Sequence, residues 1–362
     1  MKVYDTFSEI DQTQWQELVE QSPTASFFQT PECYELFSSF SFMKPFVFGV
    51  SENDKLVGIL SGYTISDGNV IKRYLSRRAI VSGGALLATT ISEDALKQVL
   101  TTARNSLKRK AIYLEIRNYN DYSKYRPAFE AAGFSYTPHL NFQVSTPDVE
   151  SALKNLSTTR RREIKLSAKT GAVWSETTDP DDVKTYYTLL QDLYKTKVKT
   201  PLFPLEFFET LIQHSYGKLF IVKVNGKITG GSVCAVLPGR TIYEWFVCGL
   251  DGQMKNIYPS TVATWAAIEY AALNKYSCFD MMGAGKPDNG YGVRDFKSKF
   301  GGKLVENGRY LYQINPFLFK IGEIAVSVMR HQFKKIKKSS SAKIPDTAIP
   351  VKKQIEKINI AD

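Results

Sequence analysis

Two stretches of the chain alternate apolar and polar residues on either side of a turn signal, the pattern of a β-hairpin. Residues 48–59 turn at Asn53-Asp54, and residues 220–231 turn at Asn225-Gly226. Downstream of each hairpin the apolar spacing becomes helical. Residues 92–110 place Leu96, Val99, Leu100, Ala103 and Leu107 on one face. Residues 260–275, just after Pro259, do the same with Val262, Trp265, Ala266, Ala272 and Leu273. Each helix leads into a short apolar strand, at 111–116 and 277–282, and then into a short helix, at 127–132 and 293–299. Hairpin, helix, strand, helix therefore occurs twice, offset by about 165–172 positions.

The repeat predicts an α/β protein of two tandem domains, 1–146 and 147–328, meeting near Pro147. A chain of 362 residues is long enough to bury two cores. Residues 156–168 read as a basic helix closed by Gly171. Residues 329–362 are lysine-rich, contain Ser339-Ser340-Ser341, and predict a disordered basic tail.

Charge sharpens this division. The net charge is +11. The tail carries nine Lys/Arg against three acids, or +6, and residues 154–169 carry another +5, which leaves the remainder neutral. Such clusters suit an anionic partner: phosphate, nucleic acid or an acidic lipid surface. Within 154–169, Arg160 and Arg161 are candidate phosphate ligands. Ahead of the tail, Phe317, Leu318, Phe319, Ile321, Ile324, Val328 and Met329 predict an apolar helix that could lie on a membrane or pack against the second domain. Cys33, Cys234, Cys248 and Cys278 are widely separated, and His139, His214 and His331 lack ligand spacing, so no metal site and no disulfide framework is expected. The amino-terminal residues lack the apolar core of a signal peptide, and no apolar run reaches the length of a membrane span. The expected location is the cytoplasm, with peripheral contact at the inner face of the cell membrane.

The densest candidate chemistry follows the second short strand. Residues 283–302 hold six glycines among Lys, Arg, Asp, Phe and Tyr. A strand, a glycine loop and a charged short helix are how an α/β fold often builds a site at a strand's carboxyl end. The spacing matches neither a P-loop nor a Rossmann fingerprint. Gly283, Gly285, Lys286, Tyr291 and Arg294 are candidate substrate-binding residues. Tyr243 and Trp245 share one face of a predicted strand and could line a groove, and Tyr258 opens the following helix.

Hairpin, helix, strand, helix resembles the acetyltransferase-like (GNAT) fold, and a tandem pair resembles the Fem family of aminoacyltransferases. The likeness is strongest over residues 240–315. It includes Lys255-Asn256-Ile257-Tyr258-Pro259-Ser260, the Gly283-Ala284-Gly285-Lys286-Pro287-Asp288 loop and Phe300-Gly301-Gly302. Thr158-Thr159-Arg160-Arg161-Arg162 resembles the basic helix that opens the family's second domain. The chain departs from the family in three places. It lacks a coiled-coil arm, it reads Leu114-Glu115-Ile116-Arg117-Asn118 where a Leu-Arg-x-Asp-Pro strand is common, and it has Phe203 near an expected Arg.

The resemblance implies transfer of an aminoacyl group from tRNA to an amine of a cell-envelope, peptidoglycan-type precursor. It implies no tightly bound cofactor. It also matches the family's Phe-Lys pair to Phe296 and Lys297. The tetrahedral intermediate of such a transfer carries an oxyanion, which a mobile Lys297 positioned by Phe296 could stabilise. Asp280, an acid in an apolar strand, is a candidate base or an anchor for the glycine loop. An acyl-CoA-dependent N-acyltransferase of lipid or polysaccharide assembly is the alternative. The Arg/Gln-x-x-Gly-x-Gly/Ala pyrophosphate loop that would support it is missing. The basic clusters also fit a non-catalytic nucleic-acid or membrane-binding module.

Overall fold

The computed structural model describes residues 1–68, 70–288 and 292–324. The first half runs β1 (Lys2–Tyr4), α1 (Gln12–Gln21), α2 (Pro31–Ser38), β2 (Lys44–Glu52), β3 (Lys55–Ile65) and α3 (Val70–Ser76). It continues with β4 (Arg78–Gly83), β5 (Leu86–Leu87), α4 (Glu93–Ser106), β6 (Tyr113–Asn118), α5 (Arg126–Ala131), β7 (Ser135–Thr137) and β8 (Leu140–Ser145). The second half runs α6 (Val149–Asn155), α7 (Thr158–Lys169), β9 (Ala172–Glu176), α8 (Pro180–Leu193), α9 (Leu205–Gln213), β10 (Gly217–Val224) and β11 (Lys227–Leu237). It ends with β12 (Thr241–Gly249), α10 (Pro259–Leu273), β13 (Cys278–Asp280), α11 (Gly292–Ser298), β14 (Lys303–Glu306) and β15 (Arg309–Gln313).

Both hairpins form as their turn residues dictate. Asn53 and Asp54 lie at φ 49° and 62°, and Asn225 and Gly226 at φ 49° and 75°. These are the left-handed angles of a turn whose twist matches the flanking strands. The two helix–strand–helix runs also form: α4, β6 and α5 in one half, α10, β13 and α11 in the other. Ser92 caps α4 by accepting from Ala95 N, and Pro259 opens α10. Pro is tolerated there because the first N–H of a helix has no partner within the helix.

The sheets do not divide where the sequence suggests. The first has the order β1-β2-β3-β4-β6-β15-β7, with β5 beside β3, and the second β14-β8-β13-β12-β11-β10-β9. So β8, encoded in the first half, pairs with β13 and β14, while β15, encoded in the second, pairs with β6 and β7. A boundary at residues 146 and 147 would leave each sheet one strand short. Residues 1–315 form one compact unit instead. A shared core explains this. Ile59, Tyr63 and Ile80 of the first sheet and Leu219, Ile221, Val233 and Tyr243 of the second pack in one buried cluster with α1, α2, α8 and α9. The opposite faces are covered by α4 and α5 on the first sheet and by α6 and α10 on the second.

Residues 316–324 are helical and belong to a second unit. The expected tail at 329–362 lies outside the described residues. No helix among the described residues is long and apolar enough to cross a membrane.

Candidate active site

β12 and β13 run parallel, with Thr241 opposite Cys278, Ile242 opposite Phe279 and Tyr243 opposite Asp280. There β13 ends, while β12 continues through Glu244 to Gly249. Past Tyr243 no described strand pairs with that edge of β12. The equivalent parallel pair in the first sheet, β4 and β6, stays paired to the carboxyl end of β4, from Ala79–Leu114 to Gly83–Asn118. The Gly83 carbonyl at its end accepts from Gln29 Nε2 and Tyr122 Oη. Among the described residues only the second sheet therefore opens at the carboxyl ends of its parallel strands, the place where open α/β sheets bind ligands.

Asp280 sets the turn at that opening. It is 1 % exposed. Its carboxylate accepts from Asn141 Nδ2 at 2.8 and 2.9 Å, Gln143 Nε2 at 3.2 Å and Met282 N at 2.7 Å. Asn141 Oδ1 accepts from Gly283 N at 2.7 Å. The backbone then takes positive φ at Met282 and Gly283, 53° and 108°. Burial pushes the Asp280 carboxyl up, opposed by these hydrogen bonds. Its lone pairs are engaged, so it is built as the clasp of the glycine loop, the second of the two roles expected for it. Ala284 and Gly285 continue the clasp through backbone bonds to Leu140.

Lys297 projects from α11 into this opening and is 9 % exposed. Its Nζ donates to Gly283 O at 2.9 Å and to Met281 O. The expected mobile lysine is thus an anchored one, gripped by the two carbonyls on either side of Met282. Burial pulls its ammonium down from the ordinary lysine range, and the charges of Glu244 and Asp280 oppose that shift. Glu244, on β12 just past the last paired residue, is 4 % exposed. Its Oε1 accepts from Thr264 Oγ1 at 2.7 Å and Ser232 Oγ at 3.4 Å, while Oε2 has no partner. Burial pushes this carboxyl up, against the Lys297 charge.

Arg160 was expected to reach a ligand phosphate but is 6 % exposed. Its guanidinium donates to Thr261 Oγ1 at 3.0 Å, to Phe296 O at 3.2 Å and to Glu163. It also lies 4.1 Å from the Phe296 ring centroid and 5.0 Å from that of Phe300. These contacts tie α7, α10 and α11 together, so Arg160 fixes the helix that carries Lys297. Arg161 is exposed, and Arg294 donates to the carbonyls of Ala284, Lys286 and Pro287, which makes it a brace of the loop. Lys286 is exposed; Tyr291 lies outside the described residues. Tyr258 is half-buried at the head of α10, its N–H bonded to Ser167 Oγ.

Tyr243 and Trp245 do share a face, but that face is packed. Tyr243 is buried against Phe28 and Tyr119, and Trp245 meets Phe28, Phe37, Phe203 and Phe207. They are part of the shared core between the sheets. The first sheet adds a charged cluster beside the loop. Glu115 pairs with Arg117 at 2.6 Å and Arg309 at 3.0 Å, and Arg309 bonds His139 Nε2 at 2.9 Å. Burial would raise the Glu115 carboxyl, but the two guanidiniums hold it at about 2. Burial and then Arg309 lower His139 to about 4, so its ring is neutral and Nε2 accepts. A side chain at Gly283 would lie 3.4 Å from that nitrogen.

Among the described residues no His, Cys, Asp and Glu group could hold a metal. The sequence reading missed Asn141, Gln143, Glu244, His139 and Arg309. Asn141 and Gln143 alternate with apolar residues on β8, and Glu244 is the one charged residue of β12, which was the available signal.

Comparisons with known proteins bear on the fold. Residues 154–298, which contain the opening and its lysine, match the profile of the acetyltransferase (GNAT) domain family. No curated protein matches the sequence. The fold is similar to the crystal structure of FemX, with a TM-score of 0.68, 14% identity, and coverage of 89% of this chain and 99% of that one. A tandem GNAT protein from the clavulanic acid biosynthesis pathway aligns with a TM-score of 0.54 and 12% identity over 87% of this chain and 99% of its own. The C-terminal domain of a putative lysylphosphatidylglycerol synthetase from Agrobacterium fabrum gives 0.55 and 14% over 87% and 94%. Residues 154–298 thus carry the match to an acetyltransferase-type (GNAT) domain, within a fold of two sheets. The chain's fold is similar to that of FemX across nearly the whole of both chains.

Proposed function

We propose that the protein moves an aminoacyl group from aminoacyl-tRNA to an amine of a cell-envelope precursor. In this reading the acceptor nitrogen attacks the ester carbonyl, the ribose oxygen departs, and the amine proton leaves with it. The oxyanion of the tetrahedral intermediate forms at the opening between β12 and β13. Lys297 supplies the positive charge there, Phe296 and Arg160 hold its helix, and Asp280 with Asn141 shapes the loop. Gly283 and Gly285 let the backbone come close to the donor, and the free edge of β12 would bond an extended part of it. Such a donor in a dry site contributes about 2.7–4 kcal/mol to the transition state.

The observation that favours tRNA over acyl-CoA is the carboxylate at the head of α10. Asp251 accepts from Ser260 N at 3.2 Å and from Ser260 Oγ. A helix N-terminus attracts phosphate through its free N–H groups and dipole. Here the protein's own anion fills that place and would repel a pyrophosphate. The test is a donor screen with purified protein and a panel of amine acceptors, envelope precursors among them. Turnover of charged tRNA with no turnover of acyl-CoA is expected. Turnover of acyl-CoA with inert charged tRNA would overturn the choice of donor.

A further inference from the structure

At the end of the first sheet where β2 begins and β3 ends lies a cavity of about 870 Å³. All its lining residues fall between Ser41 and Lys110, so none belongs to the second sheet, whose opening holds Lys297. Five of them are cations, Lys44, Arg73, Arg77, Arg109 and Lys110, and none is a carboxylate. The nearby Asp67 is already paired with Arg78 at 2.7 Å. Among the described residues Lys44, Arg109 and Lys110 form no ion pair. Arg77 is held in place by a bond to Arg109 O at 3.2 Å and lies 4.1 Å from the Tyr74 ring centroid. Five like charges around one concavity repel one another, and a bound anion relieves that repulsion.

The rest of the lining mixes hydroxyls, from Ser41, Thr64 and Ser66, with apolar side chains that include Phe42, Ile65 and Leu107. On its rim α3 presents two large residues to solvent, Tyr74 at 54% and Leu75 at 42% exposure. A soluble phosphate compound would leave Leu75 without a purpose. An acidic bilayer uses both parts: cations at its headgroups and an exposed Tyr-Leu pair at the acyl boundary. We propose that this cavity seats the phosphate of an anionic phospholipid, with α3 lying on the bilayer surface. The first sheet would then bind the membrane while the second carries out transfer, and this inference does not depend on which donor is used.

The test is co-sedimentation of the full chain with phosphatidylglycerol vesicles, with phosphatidylcholine vesicles as reference. Arg73, Leu75 and Arg109 are exposed, so changing them spares the core. Arg73→Gln with Arg109→Gln should lower partition onto phosphatidylglycerol by about 20–30-fold, from the contribution of two basic residues at such a surface. Leu75→Ser should weaken it several-fold with no change of charge, an effect that the lysine-rich tail cannot produce. Retention of uncharged tRNA on filters is measured in parallel. The proposal is overturned if wild type does not sediment with phosphatidylglycerol, or if the variants sediment as wild type does. It is equally overturned if the Arg variant loses tRNA retention while vesicle binding stays intact.

Discussion

Lys297 combines two roles that pull in different directions. Its buried ammonium satisfies the carbonyls of Met281 and Gly283, and in the proposed reaction it also meets the oxyanion. Lys297→Ala should therefore lower transfer by about 10²–10³. It should also cost about 1–3 kcal/mol of stability through the unpaired carbonyls. Initial rates and urea unfolding of the same preparation measure the two effects, and a wild-type rate would remove Lys297 from the mechanism. Glu244 gives a pH prediction. Among the charges acting on Lys297, Glu244 is the strongest that keeps it protonated. If activity needs the ammonium, activity falls as pH rises through the Lys297 pKa, below the ordinary lysine range. Glu244→Gln removes the opposing charge, so burial lowers that pKa further. The alkaline limb of kcat/KM should then move to lower pH. An unmoved limb would show that the two groups do not interact in catalysis.

Among the elements, α11 depends on its neighbours. It is a short helix, and Arg160 fixes it through one carbonyl and two aromatic rings. Arg160→Ala leaves the half-buried Glu163 without its cation, beside a void, and frees Phe296, so a stability loss of about 3–5 kcal/mol is expected. Arg160→Lys should restore little, because a lysine cannot lie flat on Phe296 while bonding Thr261 and Glu163. Thermal unfolding and kcat of both variants would check this; full recovery in the lysine variant would mean that charge alone matters there. The same residue shows where sequence reading stops. A run of three arginines looks like a solvated face, and nothing local reveals that the first turns inward beneath α11. Hairpins and helices were legible because their signals lie within a few residues: Asn225-Gly226, Pro259 and the apolar stripe of α4. The glycine loop, Asp280 and Lys297 were legible as a neighbourhood because they are close in sequence. Asn141 joins them across 139 positions, a pairing that periodicity does not encode.

For the whole molecule, the exchange of β8 and β15 matters most. Neither strand was read from the sequence, and alternation within a strand carries no information about which sheet it joins. With a shared core between the sheets, unfolding should be one cooperative event. Urea titrations followed by tryptophan fluorescence and by far-UV circular dichroism should coincide, and Trp15 and Trp245 both report on the shared core. Two separated transitions would show that each half stands alone. Residues 1–146 and 147–315 made as separate fragments should each expose hydrophobic surface, and mixing them should restore the native spectrum.

The same exchange constrains the order of events at the ribosome. β6 stays an open edge until β15 arrives nearly two hundred residues later (Ile116 meets Tyr310). An unpaired central strand is a template for pairing with another chain. During most of its synthesis the nascent protein therefore carries a sticky, half-built sheet, and its yield in the cell should depend on chaperone capture of that intermediate as much as on the stability of the finished fold.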